Sequence, residues 1–256
     1  MPLTFLHSLV AIALLSGAHA HGREQFARIA AASDLKFALP PIVARFEREA
    51  SATVAVTYGS SGNLARQIQQ GAPFEHFLSA DEALVHRLVE SGHARDAGFI
   101  YAVGHLALYV SSSTQLRADQ KLEGLQQDWA TVQKFAIANP DHAPYGRAAR
   151  EALESLGLWT LVRPKIVLGE NATQAAQFVS TGAAQAGLVP LSLARAPELA
   201  RVGRHVALPV SLHQPLRQRA ALMKNAGATA VDFHRFLRQP ATRDAFRQAG
   251  FEMPAE

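Results

Sequence analysis

Paired serines between glycines, Gly59-Ser60-Ser61-Gly62, stand at the junction of two hydrophobic patterns. Before them Ala52–Tyr58 alternates apolar and β-branched residues, which predicts a strand. After them Leu64, Ala65 and Ile68 recur at helical spacing, so a helix is predicted to begin at Ser60–Ser61. A serine at that point accepts a hydrogen bond from a first-turn N–H, and the remaining free N–H groups point outward. The helix dipole adds partial positive charge there, and Gly59 and Gly62 let a ligand approach the backbone. The chemistry on offer is anion binding without a cationic side chain. The plainer alternative is that Ser61 only caps its helix.

Other places offer the same kind of donor. Ser33 and the backbone of Asp34 follow the strand-like run Gln25–Ala32. Tyr145 lies in the loop Asn139–Gly146 after the strand-like Lys134–Ala138, and the N–H of Ala172 comes after Lys165–Gly169 and Asn171. Serine and tyrosine hydroxyls rotate to donate, and a backbone N–H can only donate. That set suits a fully deprotonated tetrahedral oxyanion, which is doubly charged and accepts only. Taken singly, Ser33, Asp34 and Asn171 are ordinary helix caps and Tyr145 a surface aromatic, and spacing leaves their convergence open. Asp34 poses a conflict, because a carboxylate beside a dianion repels it. It is expected to offer its backbone N–H while its side chain caps the Leu35 helix. The alternative turns Asp34 into the cleft, which would favour a protonated oxyanion such as phosphate. Tyr145 is expected at the cleft mouth, setting the size of the anion.

Strand and helix alternate along the chain, which predicts an α/β protein with a parallel sheet covered on both faces. In such sheets ligands collect beyond the carboxyl ends of the strands. Phe74–Ser79, Ala186–Leu191 and Leu216–Lys224 read as further strands; Asp81–Gly92, Arg147–Leu156, Ala172–Ser180, Gly227–Leu237 and Ala241–Gly250 read as helices. Pro40-Pro41 predicts a kink or restart in the helix that opens at Ser33-Asp34. Phe99–Ser111 is longer than the earlier strands and reads as a crossing between domains, with His205–Ser211 a second crossing. Two crossings predict hinge bending.

At 256 residues and 48% hydrophobic content the chain supports two modest domains. Met1–Ala20 has a short apolar core at Leu9–Leu15 and a small-x-small end at Ala18-His19-Ala20, so it is expected to be a cleaved signal peptide. The chain has no cysteine, which excludes disulfides and a lipid-anchored cysteine at the cleavage site. Free export points to the periplasm. The net charge of +4 is carried by scattered arginines without a basic-aromatic run, so nucleic acid is not expected as a partner. Gly59-Ser60-Ser61-Gly62 is one residue short of a nucleophile elbow. Zinc-protease and phosphate-loop motifs are missing, and His76, His86, His93 and His105 are too loosely spaced for a metal-ligand pattern. Cleavage after Ala20 would expose His21 as the amino terminus, a copper site only together with another histidine. No metal or cofactor is expected.

The motifs AAASDL at Ala30–Leu35, YGSSGNLARQIQQGAP, FLSAD, NPDHAPYGRAAREAL and a final GF resemble the periplasmic molybdate-binding proteins, solute receptors of molybdate/tungstate importers. The similarity runs from about Arg28 to Phe251. It implies a two-lobed type II periplasmic binding protein fold, two α/β lobes joined by two crossing strands. Residues 1–20 would be the signal peptide, 21–103 plus 212–256 lobe 1, and 104–211 lobe 2. Carried over by motif, the ligand residues fall on Ser33, Asp34, Ser61, Tyr145 and Ala172, the last through its backbone. Pro190 stands where other members place a ligand tyrosine, and Asp34 where a related branch has a neutral amide. The resemblance implies a monomeric receptor that delivers molybdate or tungstate to the permease of an ABC importer, and no enzyme. Alternatives are a receptor for sulfate or phosphate, or an exported serine hydrolase using Ser61 with His142 as base.

Overall fold

Alanine-rich β1 explains the first layer. In the computed structural model, which describes residues 26–254, this strand runs Phe26–Ala32. Ala27, Ile29, Ala30 and Ala31 are fully buried on both faces, and small side chains let helices pack closely above and below. The signal segment expected at 1–20 and His21 lie outside the described residues. β2 (Thr53–Gly59) and β3 (His76–Ser79) flank β1 in parallel.

β4 (Phe99–Gly104) and β5 (Leu106–Ser111) are separated by His105 alone and belong to different sheets. The long apolar run is therefore a crossing, as its length suggested. Gly104 marks the break, because a Cβ there would strike the Tyr145 hydroxyl and the Gln218 amide. The second sheet adds β6 (Phe135–Ala138), β7 (Ile166–Gly169), β8 (Ala186–Pro190) and β9 (Gly203–Ala207). The chain then returns through a short 3-10 turn at Val210–Leu212 to β10 (Leu216–Leu222) in the first sheet. The orders are β2-β1-β3-β10-β4 and β7-β6-β8-β5-β9, the same pattern twice.

Neither sheet is purely parallel, contrary to the expectation from strand-helix alternation. β10 runs antiparallel to β3 and β4, and β5 antiparallel to β8 and β9. The reason is the crossings: a strand entering from the other lobe arrives from the opposite end of the sheet. Periodicity along one segment carries no information about that direction.

Most helices fall where the apolar spacing put them, and Ala172–Ser180 agrees residue for residue. The prolines act as a restart. Ser33–Leu35 forms a 3-10 turn, and a new helix Leu39–Ala50 begins with Pro40 in its first turn, where a missing N–H costs nothing. That helix buries Leu39, Ile42, Val43 and Phe46, with Phe46 edge-on to Phe233 and Phe236.

A histidine pair in the first lobe, one member buried and one half-buried, sets a pH dependence. His76 on β3 is fully buried, and its Nε2 lies 2.9 Å from His234 Nδ1 on the helix Ala228–Phe236. Burial pushes the His76 imidazole well below its usual range, and the neighbouring His234 adds to this. Burial, with Arg238 and Arg235 nearby, brings His234 down to about 4, against a weaker opposing pull from Asp96. Both groups bind protons more readily unfolded than folded, so stability falls as pH drops from about 6.5 towards 4. Urea midpoints should therefore decline between pH 7 and pH 5, and less steeply in a His76→Leu/His234→Leu variant. Equal slopes for the two proteins would remove the pair from the account.

Candidate functional site

The ends of β1, β2 and β3 face the starts of two helices of the other lobe. Ser33 lies just past β1, Ser61 just past β2, Tyr145 in the first turn of the helix Pro144–Ser155, and Ala172 at the start of its own helix. All four line one cavity, together with Asp34, Gly59, Ser60, Ala80 and Pro144. They are almost wholly buried: Ser33 4%, Ser61 1%, Tyr145 3% and Ala172 4% exposed, and Asp34 1%. The cavity measures about 10 Å³, roughly the room one water needs, so a tetrahedral anion requires the lobes to part and re-close around it. A wider opening of about 340 Å³ adjoins it, lined by Arg66, Arg87 and Arg147 among others.

The hydroxyls are held by backbone donors. Ala80 N–H donates to Ser61 Oγ at 3.0 Å, and Ala172 N–H donates to Ser33 Oγ at 3.1 Å across the lobes. A hydroxyl that accepts one bond still has its proton to give. Each serine is thus oriented as a donor. The helix starts behave less simply than expected. Ser60 is the cap residue of the helix Ser61–Gln69, yet its side chain accepts from none of that helix's N–H groups. Its Oγ lies 2.9 Å from His142 Nδ1 instead, and Gly62 N–H donates to the His142 carbonyl at 2.9 Å. That first turn is spent on joining the lobes. Asn171 does cap its helix, accepting from Gln174 N–H at 3.1 Å.

Asp34 corrects the expectation of a capping carboxylate. No side chain caps the Ser33–Leu35 turn. The carboxylate turns to Gln218, whose Nε2 donates to Oδ2 at 2.6 Å and to the Tyr145 hydroxyl at 3.1 Å. Tyr101 in turn donates to Gln218 Oε1 at 2.6 Å. Burial pushes the Asp34 carboxyl up to about 6, against weaker lowering by Gln218, Tyr145 and the N–H groups of Asp34 and Leu35. Burial first, and then the Asp34 charge, raises the Tyr145 and Tyr101 phenols well above their usual range. Tyr145 is also not at the mouth: it is buried beside Gly104, on the hinge side of the cavity.

More bonds close the lobes. Thr173 Oγ1 donates to Ser33 O at 2.8 Å, Ser192 Oγ to Asp34 O at 2.9 Å, and Arg147 pairs with Asp81 at 2.8 Å. Asn63 donates to Glu170, which stands 3.5 Å from His142 Nε2. Ser61 and His142, the pair of the hydrolase alternative, are not hydrogen-bonded to each other: His142 meets Ser60, and the Ser61 hydroxyl accepts from Ala80 N–H.

Comparison with known proteins gives the family. Residues 27–252 match the model of the bacterial extracellular solute-binding protein family. The molybdate-binding protein ModA of Rhodobacter capsulatus is 38% identical over 213 residues, covering 82% of this chain and 81% of that one. The chain belongs to the periplasmic molybdate-binding protein family. A solved structure of the Azotobacter vinelandii periplasmic molybdate-binding protein superposes with a TM-score of 0.82 at 29% identity, covering 90% of this chain and all of that one. The Mycobacterium tuberculosis sulfate-binding protein SubI superposes with a TM-score of 0.74 at 16% identity, covering 89% of this chain and 86% of that one. The latter shares the fold alone. Membership fixes the two-lobed type II periplasmic binding architecture. It leaves the choice of anion to the lining residues.

Sequence reading within this family missed Gln218. The residue is fully buried between Leu216 and Ala220 on one face of β10. A polar residue at an inward position of a strand with alternating burial was the available signal. At the family's tyrosine position, Pro190 ends β8 and leads into a short helix whose Ser192 reaches Asp34 O.

Proposed function

We propose that the chain is an extracytoplasmic receptor that captures molybdate or tungstate between its lobes and delivers it to the permease of an ABC importer. The observation that carries this is the convergence of the Ser33, Ser61 and Tyr145 hydroxyls on one buried cavity, which Ala172 also lines while its N–H holds Ser33 Oγ. These groups satisfy an acceptor-only dianion, and no lysine or arginine lines that cavity among the described residues. The names of the relatives support the same anion. The protein works as a periplasmic monomer and catalyses no reaction. Among the described residues its lobes comprise 26–103 with 212–254, and 104–211, hinged near His105 and Val210–Leu212, where the sheets exchange strands.

Thermal melting with each oxyanion tests the reading. Molybdate and tungstate should raise the melting temperature strongly, since ligand at a hundredfold over its Kd stabilises by about 2.7 kcal/mol. Sulfate and phosphate should give smaller shifts at equal concentration. A larger shift with sulfate or phosphate, or none with any oxyanion, would reject the assignment.

A further inference from the structure

Asp34 is a buried acid that a donor-only anion cavity does not need. Tyr101 donates to Gln218 Oε1, which fixes the amide so that Nε2 points its two hydrogens at Asp34 Oδ2 and the Tyr145 oxygen. Tyr145 accepts there, and its own hydroxyl also approaches the Asp34 carboxyl. Asp34 Oδ1 is left buried with no hydrogen-bond partner, in a residue that lines the cavity. As a carboxylate oxygen it would be an orphan acceptor facing a dianion, repulsive and unsatisfied. As a carboxylic O–H it becomes one more donor.

We propose that Asp34 is a proton-linked specificity residue: the anion binds together with one proton, which resides on Asp34 Oδ1 and is donated to an anion oxygen. This rests on the oxyanion-receptor reading above. The groups facing the carboxyl are Gln218 from β10, Tyr145 from the helix Pro144–Ser155, and the N–H groups of its own turn; Tyr101 from β4 approaches through Gln218. From the short helix after β8, Ser192 reaches only the Asp34 carbonyl. Among the described residues no lysine, arginine or histidine acts on it, so only hydrogen bonds from Gln218, Tyr145 and the two N–H groups oppose its protonation when a dianion arrives. Burial has already raised the carboxyl to about 6, and a neighbouring dianion raises it further. The proton comes from solvent, and no bond other than the carboxyl O–H is made. Selectivity follows from the same proton. A fully deprotonated oxyanion uses the Asp34 donor, whereas an oxyanion carrying its own proton presents a donor to it and gains nothing from the uptake.

The test is calorimetric titration of the full mature protein with micromolar sodium molybdate from pH 6.5 to 8.5, in two buffers of different ionisation heat. Kd should rise about tenfold per pH unit, with uptake approaching one proton per anion at pH 8. Asp34→Asn keeps a donor without a titrating group, so its Kd should be flat with pH and its uptake zero. At pH 8.5 it should bind more tightly than the wild type. A wild type that binds molybdate with flat Kd and no uptake would overturn the proposal, as would uptake that persists in Asp34→Asn. If that variant does not fold, the wild-type proton count decides alone. No molybdate binding at any pH would instead sink the receptor reading itself.

Discussion

Gly62→Ala should weaken molybdate binding by about 5- to 150-fold while leaving the ligand-free protein at least as stable as before. A Cβ on Gly62 would stand 2.5 Å from the His142 carbonyl oxygen, 3.0 Å from its Cα and 3.1 Å from its carbonyl carbon. These are backbone atoms of the opposite lobe, which cannot swing aside as a side chain would. The same approach carries the bond from Gly62 N–H to His142 O, so the methyl both overlaps and lengthens that contact. Overpacking of this kind costs about 1–3 kcal/mol, which sets the range of affinity lost. With the lobes apart the methyl lies in solvent, and alanine replaces glycine in a helix, a gain of up to about 1 kcal/mol. Titration with molybdate, beside a melt without ligand, measures both sides. Binding within threefold of wild type would mean that the lobes do not close through this contact.

Ser61→Ala should cost more affinity than Ser33→Ala, although both remove one hydroxyl donor. A hydrogen bond to a charged group is worth about 1.5–3 kcal/mol, or about ten- to 150-fold in affinity. Ser61 Oγ is the acceptor for Ala80 N–H within its own lobe. Its loss leaves that buried N–H unpaired as well, so stability should fall along with binding. Ser33 differs because its Oγ occupies the Ala172 N–H across the lobes. Removing it frees that N–H to turn to the anion, and part of the loss is regained. Isotherms and ligand-free melts of the two variants give the ranking directly. Equal losses, or a larger loss for Ser33→Ala, would contradict this division of roles.

The sequence by itself determined the local elements. The helix Ala172–Ser180 with Asn171 as cap, the restart at Pro40-Pro41 and the burial of β1 follow from patterns within a few residues of each position. Repeating side-chain periods and cap chemistry are short-range physics, so they are legible in one dimension. The run Phe99–Ser111 announced a crossing by its length alone, and the motif resemblance named the family before any contact was known. Tertiary structure decided who bonds to whom. Ser60 forgoes its own helix for His142, which is 82 positions away. Asp34 turns from the expected cap to Gln218, 184 positions away, and Tyr145 meets the same amide from 73 positions away. A hydroxyl or carboxylate has several acceptable partners of nearly equal worth, and the one it takes is whichever the packing of the lobes brings within about 3 Å. That choice also bears on the charge state of Asp34, because burial raises its carboxyl to about 6. Local spacing placed the donors on their strands and helices; only the closing of one lobe on the other made them a single site.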